Sequence, residues 1–317
     1  RQDSDFWYLS GCNEPEAVLV LVPGRKHGEM LLFCRERDAE REAWDGPRLG
    51  PEGAVDALGF DDAYAISDID DILPGLIEGR HRVFYHFGRE VEFDLKLIGW
   101  VNRVRALVKQ GAESPHEFQE LGHLLHDLRL FKSKAEIRLM QHSANIAALA
   151  HRRAMQACKP GMHEFEIEAE LQYVFRKHGA VASYEPIVGG GGNACVLHYR
   201  NNDAPLANGE LLLIDAGAEF QGYASDITRT FPINGSYSRE QRALHDLVEA
   251  AQQAAMAQVL PGNAWIAPHD AAVEVLTEGM LRLGLLKGSL EDALAKENYR
   301  PLHLHKTGQW LGPGGAQ

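Results

Sequence analysis

In the stretch Glu210-Leu-Leu-Leu-Ile-Asp-Ala-Gly-Ala-Glu-Phe-Gln-Gly-Tyr-Ala-Ser-Asp-Ile-Thr-Arg-Thr-Phe231, two aspartates stand on either side of a turn in an otherwise apolar and β-branched run. The composition reads as two strands, and a tight turn at Glu219 to Gly222, centred between Phe220 and Gln221, sets Asp215 directly opposite Asp226. Both side chains then share a face, with Cβ atoms about 4.5–5.5 Å apart. Like charges so placed weaken a ladder, and a carboxylate buried in its ionised form needs a counter-charge. One divalent cation, or two, held between Asp215 and Asp226 resolves both problems. Either aspartate alone reads more simply, Asp215 as the residue before a turn at Ala216-Gly217 and Asp226 as solvated. The pair in register, on a strand as apolar as Leu211–Ile214, points to metal.

Other residues with chemical potential carry weaker signals. The run Gly189–Gly192 invites a phosphate-cradle reading, but that motif needs its glycines to open a helix. The continuation here reads as loop and strand, which leaves flexibility or close backbone approach to a ligand. His81, His86, His116, His123 and His126 lack catalytic spacing and read as surface or packed side chains. The four cysteines, Cys12, Cys34, Cys158 and Cys195, are scattered without C-x-x-C spacing. They read as small buried thiols in a reducing compartment, with cytoplasm the default, and not as a disulfide frame or a zinc site.

The elements that must position the aspartates follow from periodicity and punctuation. Residues 1–128 read as a mixed α/β unit, with strands at Ala17–Val22, Met30–Cys34 and Arg82–Phe87 and an amphipathic helix from Phe93 to about Gly111. From 129 to 317 the composition changes. Ser133-Lys-Ala-Glu136 is a capping box that opens a long helix to about Cys158, stopped by Lys159-Pro-Gly161; a second helix runs from about Glu164 to His178 and closes at Gly179. A strand near Tyr184–Val188 and the acidic hairpin follow. Ser238-Arg-Glu-Gln241 then opens a helix to about Val259, Leu260-Pro-Gly262 stops it, and another helix runs from about Pro268 to Leu283 before Gly284.

This sequence of signals repeats after about one hundred residues, which implies an internal two-fold duplication within one domain. In the first copy the acidic hairpin begins about fifty residues after Pro160, and the same distance from Pro261 falls at the end of the sequence. The second copy's hairpin, with its carboxylates, is therefore expected beyond Gln317, with the duplicated domain incomplete at its C-terminus.

Composition narrows the function. At 317 residues the chain has room for a large core and two domains. A formal charge of −13 with no basic stripe argues against a nucleic-acid partner and mildly favours ligands with a free amine. No stretch approaches the roughly 18 apolar residues of a membrane span. No signal-peptide pattern is present, although an opening at Arg1 leaves room for a lost leader.

The hairpin segments Ile214-Asp-Ala-Gly217 and Tyr223-Ala-Ser-Asp-Ile-Thr-Arg-Thr-Phe231 resemble the metal-binding strands of the pita-bread metallopeptidases. Arg1-Gln-Asp-Ser-Asp-Phe-Trp-Tyr8, Asn13-Glu-Pro-Glu-Ala-Val-Leu-Val20, Leu130-Phe-Lys-Ser133, Lys159-Pro-Gly-Met162 and Leu197-His-Tyr199 are similar to bacterial Xaa-Pro aminopeptidases (aminopeptidase P) within that family. The resemblance covers nearly the whole chain. It implies an α/β (α+β) fold, with an aminopeptidase P-type N-terminal domain followed by a pita-bread catalytic domain. It also implies a dinuclear site, usually of two Mn²⁺ ions, held by two Asp, one His and two Glu. Asp215 and Asp226 match the two aspartates, Asp226 as the bridging one, and His198 and His305 match the histidines that contact substrate. From their spacing alone both histidines read as structural. The implied reaction is release of the first residue from a peptide with proline second, by a metal-activated hydroxide, in an enzyme that associates with copies of itself. The Trp44-Asp-Gly46 segment, read as a loop, could reach such a neighbour.

The sequence departs from that pattern at Gln309, where the family has its metal-ligating histidine, and over Pro313-Gly-Gly-Ala-Gln317. Two of the five implied ligands are present, so the chain as it stands is expected to hydrolyse nothing. A fragment with an error near its end, or a truncated inactive relative, accounts for this. Two rival functions share the fold: a prolidase or creatinase-like hydrolase, and a non-catalytic binding protein.

Overall fold

The computed structural model describes residues 2–303, which divide into two compact units between Lys134 and Ala135. In the first unit a three-stranded sheet joins Val18–Leu21 antiparallel to Met30–Cys34, and Met30–Cys34 parallel to Asp62–Ala65. The central strand is the most buried, with Leu31, Leu32, Phe33 and Cys34 wholly inaccessible. The Ile69–Ile77 and Val91–Ala106 helices add Ile69, Leu73, Leu97, Trp100, Val101 and Val104 to the core around Phe33. Two short strands, Arg82–Tyr85 and Glu117–Glu120, pair in parallel. The Ile69–Ile77 helix was not apparent from sequence because Pro74 lies inside it. The Val91–Ala106 helix ends earlier than its apolar spacing suggests, a 3₁₀ turn at Val108–Gln110 finishing the run to Gly111. Trp44 lies in an Ala39–Asp45 helix and not in a loop, and it is 86% exposed.

In the second unit two helices, Lys134–Ala157 and Glu164–Lys177, share one core with the strands that follow. Ile146, Ala147, Ala150 and Ala154 from the first helix and Ile167, Leu171, Val174 and Phe175 from the second meet Val188, Leu212, Ile214, Ala216 and Ile233. The sheet has Leu211–Ala216 at its centre, with Ile187–Gly190 and Ile227–Pro232 antiparallel on either side. Alternation along Leu211–Ala216 is strict: Leu212, Ile214 and Ala216 are buried with the helices, while Leu211, Leu213 and Asp215 take the other face and are half-buried. The expected strand at Tyr184–Val188 begins later and takes in Gly189 and Gly190; Gly191–Cys195 then forms a 3₁₀ helix, and Val196–Tyr199 is a turn and not a strand.

The Ser238 capping box opens the Arg239–Ala257 helix, which is followed by Ala267–Arg282. The repeat inferred from sequence is visible in backbone conformation as well as in element order. Gly161 and Gly262 have φ of 90° and 93°, and Gly179 and Gly284 have φ of 72° and 74°.

Candidate metal centre

The hairpin's register differs from the sequence expectation. Tyr223 pairs with Phe220, and Thr228, not Asp226, stands opposite Asp215. The turn is therefore the two-residue loop Gln221-Gly222, with φ of 49° and 81°. Two positive φ values give the primed turn that matches strand twist. Asn-Gly or Asp-Gly would have announced it, and glutamine at the first position does not. Asp226 becomes a diagonal neighbour of Asp215 instead of its direct partner, and its side chain is exposed, not buried. A displacement of two residues preserves the side-chain period, so both aspartates remain on one face.

Backbone features hold this corner. A Cβ on Gly217 would lie 1.6 Å from the Ser225 carbonyl oxygen, so only glycine allows the strands to close there. Ser143, fully buried on the first helix, donates to the Ala218 carbonyl at 2.6 Å; the Ala218 N–H donates to Ser225 Oγ at 3.0 Å. The Ser183 hydroxyl donates to the Ser225 carbonyl at 2.9 Å.

Tyr184, from the bend between Val181–Ala182 and Ile187–Gly190, brings the two carboxylates together. Its hydroxyl is within hydrogen-bond distance of Asp215 Oδ1 and lies 2.9 Å from Asp226 Oδ1. A phenol carries one proton, so it donates to one carboxylate while the other presents lone pairs to lone pairs. Burial pushes the Asp215 carboxyl above its usual range and the Asp226 charge adds to this, against the hydrogen bonds from Tyr184 and Thr228. Burial also raises the Tyr184 phenol strongly, as do its bonds to the two carboxylates. Tyr184 had no sequence signal, since it is 31 and 42 residues from its partners.

His198 is exposed in the Val196–Tyr199 turn and, among the described residues, hydrogen-bonds to neither carboxylate. His305 and Gln309 lie outside the described residues. Among the described residues, His245, Asp246 and Glu249 also bring three ligand atoms within 4.8 Å of one another, on the Arg239–Ala257 helix. Arg242 Nε already donates to Asp246 at 2.9 Å, and the group reads as a solvated helix face. Of the cysteines, Cys12, Cys34 and Cys158 are buried and unpaired, whereas Cys195 is exposed, contrary to the reading of all four as buried. No described helix is long and apolar enough to cross a membrane.

Comparison with known proteins places this geometry. The model of metallopeptidase family M24 matches residues 138–314, and that of the aminopeptidase P N-terminal domain matches residues 1–85. The chain is 40% identical to the Xaa-Pro aminopeptidase of Escherichia coli K12, over 98% of this chain and 71% of the relative. It is 41% identical to that of Haemophilus influenzae, over 98% and 70%. Among solved structures, Pseudomonas aeruginosa aminopeptidase PepP superposes with a TM-score of 0.96 at 55% identity, covering 98% of this chain and 71% of that one. A variant of Escherichia coli aminopeptidase P in complex with substrate gives 0.94 at 39%, with the same coverage. The carboxylate pair on its duplicated fold, preceded by an aminopeptidase P N-terminal domain, thus belongs to a member of metallopeptidase family M24.

Proposed function

We propose that this chain serves metal-dependent hydrolysis that releases the N-terminal residue from peptides with proline in second position. The observation that carries the reading is the meeting of the Asp215 and Asp226 carboxylates on the single Tyr184 hydroxyl. The donor set fits divalent cations: every converging atom is a hard oxygen, and the acceptors outnumber the one proton available. Asp215 and Asp226 would hold two ions, and Mn²⁺ suits such a shell. When bound, the ions supply Lewis acidity and a hydroxide nucleophile near neutral pH.

The chain's own residues do the rest. Tyr184 holds the two carboxylates at one point. His198 and His305 donate hydrogen bonds to the substrate and to the oxyanion that develops on the scissile carbonyl. A Xaa-Pro bond is a tertiary amide without an N–H. Selection must therefore rest on the proline ring and on protonation of the leaving nitrogen. The similarity to enzymes named Xaa-Pro aminopeptidases supports this substrate class. Buried, unpaired Cys12 and Cys34 in one apolar cluster support a reducing, cytoplasmic setting.

The test is cleavage of a Xaa-Pro-Xaa tripeptide against a Xaa-Pro dipeptide, with Mn²⁺, for this sequence completed with the family's remaining metal ligands and for its Asp215→Asn and Asp226→Asn variants. Tripeptide cleavage lost in both variants is the expected result. Preference for the dipeptide would shift the reading to a prolidase. Metal content below about a tenth of an ion per chain would shift it to a binding protein.

A further inference from the structure

Glu164 opens the Glu164–Lys177 helix and is fully buried, yet no described Lys, Arg or His pairs with it. Four hydrogen bonds take that place. Oε1 accepts from the Gly190 N–H at 2.7 Å and from Asn193 Nδ2 at 3.0 Å; Oε2 accepts from the Tyr199 hydroxyl at 2.7 Å and from the Ala204 N–H at 3.0 Å. The donors come from both ends and the middle of one loop, residues 190–204, and the middle donor is the chain neighbour of His198.

A second tie acts beside it. Asn202 is buried with φ of 48°; its Oδ1 accepts from the Val188 N–H at 2.9 Å, and its Nδ2 donates to the Pro186 carbonyl at 2.8 Å and to Glu168 at 2.9 Å. Between these ties Val196, Leu197 and His198 are exposed. The loop is therefore rigid at its base and open at its tip.

We infer that Glu164 is a positioning residue, whose buried carboxylate clamps the 190–204 loop so that His198 is presented to substrate from a fixed base. The inference rests on the proposed role of His198 in substrate contact. An amide in place of the carboxylate turns one oxygen into an NH₂ that faces a backbone N–H whichever way it lies, that of Gly190 or that of Ala204, so Glu164→Gln breaks the clamp at nearly constant shape.

The experiment is hydrogen exchange on the 317-residue chain, with peptide affinity measured beside it. Glu164→Gln is expected to speed amide exchange across 196–204 by on the order of tenfold or more, leaving the 146–154 helical core unchanged. Should that variant not fold, Tyr199→Phe removes one bond and keeps the carboxylate; a severalfold rise confined to the same loop is then expected. Unchanged loop exchange in the folded variants, or a rise shared equally by the core, overturns the clamp. Affinity for Ala-Pro-Ala separates positioning from mere stability. Glu164→Gln is expected to weaken binding when His198 is present and to add nothing to His198→Ala; equal loss in both backgrounds overturns the positioning role. A wild-type chain that binds no such peptide counts against the Xaa-Pro reading, and loop exchange still decides the clamp.

Discussion

Asp226→Asn should reverse its effect on stability when metal is added. Through the Tyr184 hydroxyl, the Asp215 and Asp226 oxygens lie within roughly 5 Å of each other, where two unit charges repel by about 3 kcal/mol at an effective dielectric of 20 and about 0.8 kcal/mol at that of water. Asp226 is exposed, so screening moves the value toward the lower figure. Removing its charge from the metal-free chain is therefore expected to stabilise the second unit by about 1 kcal/mol, raising Tm by roughly 2–4 °C. With Mn²⁺ at about one hundred times its Kd, the wild type gains about 2.7 kcal/mol, a rise of roughly 5–10 °C, and the variant gains little. Differential scanning calorimetry in chelator and in Mn²⁺ reads both states. The order of the two Tm values should invert between them. A variant less stable than wild type in chelator, or one that keeps the full Mn²⁺ shift, would refute the view that these carboxylates are a mutually repelling pair awaiting a cation.

Gly217→Ala places a methyl 1.6 Å from the Ser225 carbonyl oxygen, and should cost about 3 kcal/mol or more, read as a lost or strongly lowered unfolding transition. Burial pushes Glu164 up, but its four hydrogen bonds outweigh this and hold its carboxyl below the usual range. A depressed folded-state value means that the contribution is complete above the unfolded value of about 4.3 and is lost as pH falls through the folded one, so protection of amides 196–204 should collapse only below that pH. A thiol reagent at neutral pH should modify Cys195 alone in the native chain and all four cysteines after unfolding, because burial pushes the Cys34 thiol up to about 11 and raises those of Cys12 and Cys158.

What the sequence disclosed depended on whether the signal was local. The capped helices around Pro160 and Pro261 were legible because their stop and start residues are adjacent to the elements they punctuate. The strand at Leu211–Ala216 was legible for the same reason, although the uniformly apolar Leu211–Ile214 did not disclose which side chains face the helices. The register was not, because it hinged on Gln221 accepting a left-handed conformation that glutamine seldom adopts. Tyr184 and Glu164 were invisible for a different reason. Each acts through partners far along the chain, and nothing in a tyrosine before Glu185 or a glutamate at a helix start marks it as a junction. The Pro74 helix was obscured by a residue that argues against helix, overridden by burial of Ile69, Leu73 and Ile77.

The parity of the Gln221-Gly222 hairpin also limits which insertions and deletions the site can survive. A strand alternates its two faces like a binary code, and the carboxylate pair is read from one face of two facing strands. Adding or removing two residues at the turn slides the far strand along its track and leaves Asp226 on the same side as Asp215. Where a single-residue change is taken up by the far strand slipping one place, and not by the loop as a three-residue turn with a bulge, Asp226 and Thr228 move to the opposite side. A one-residue insertion that slips the far strand should therefore silence the pair as completely as replacing both aspartates, whereas one held within the loop should leave it intact.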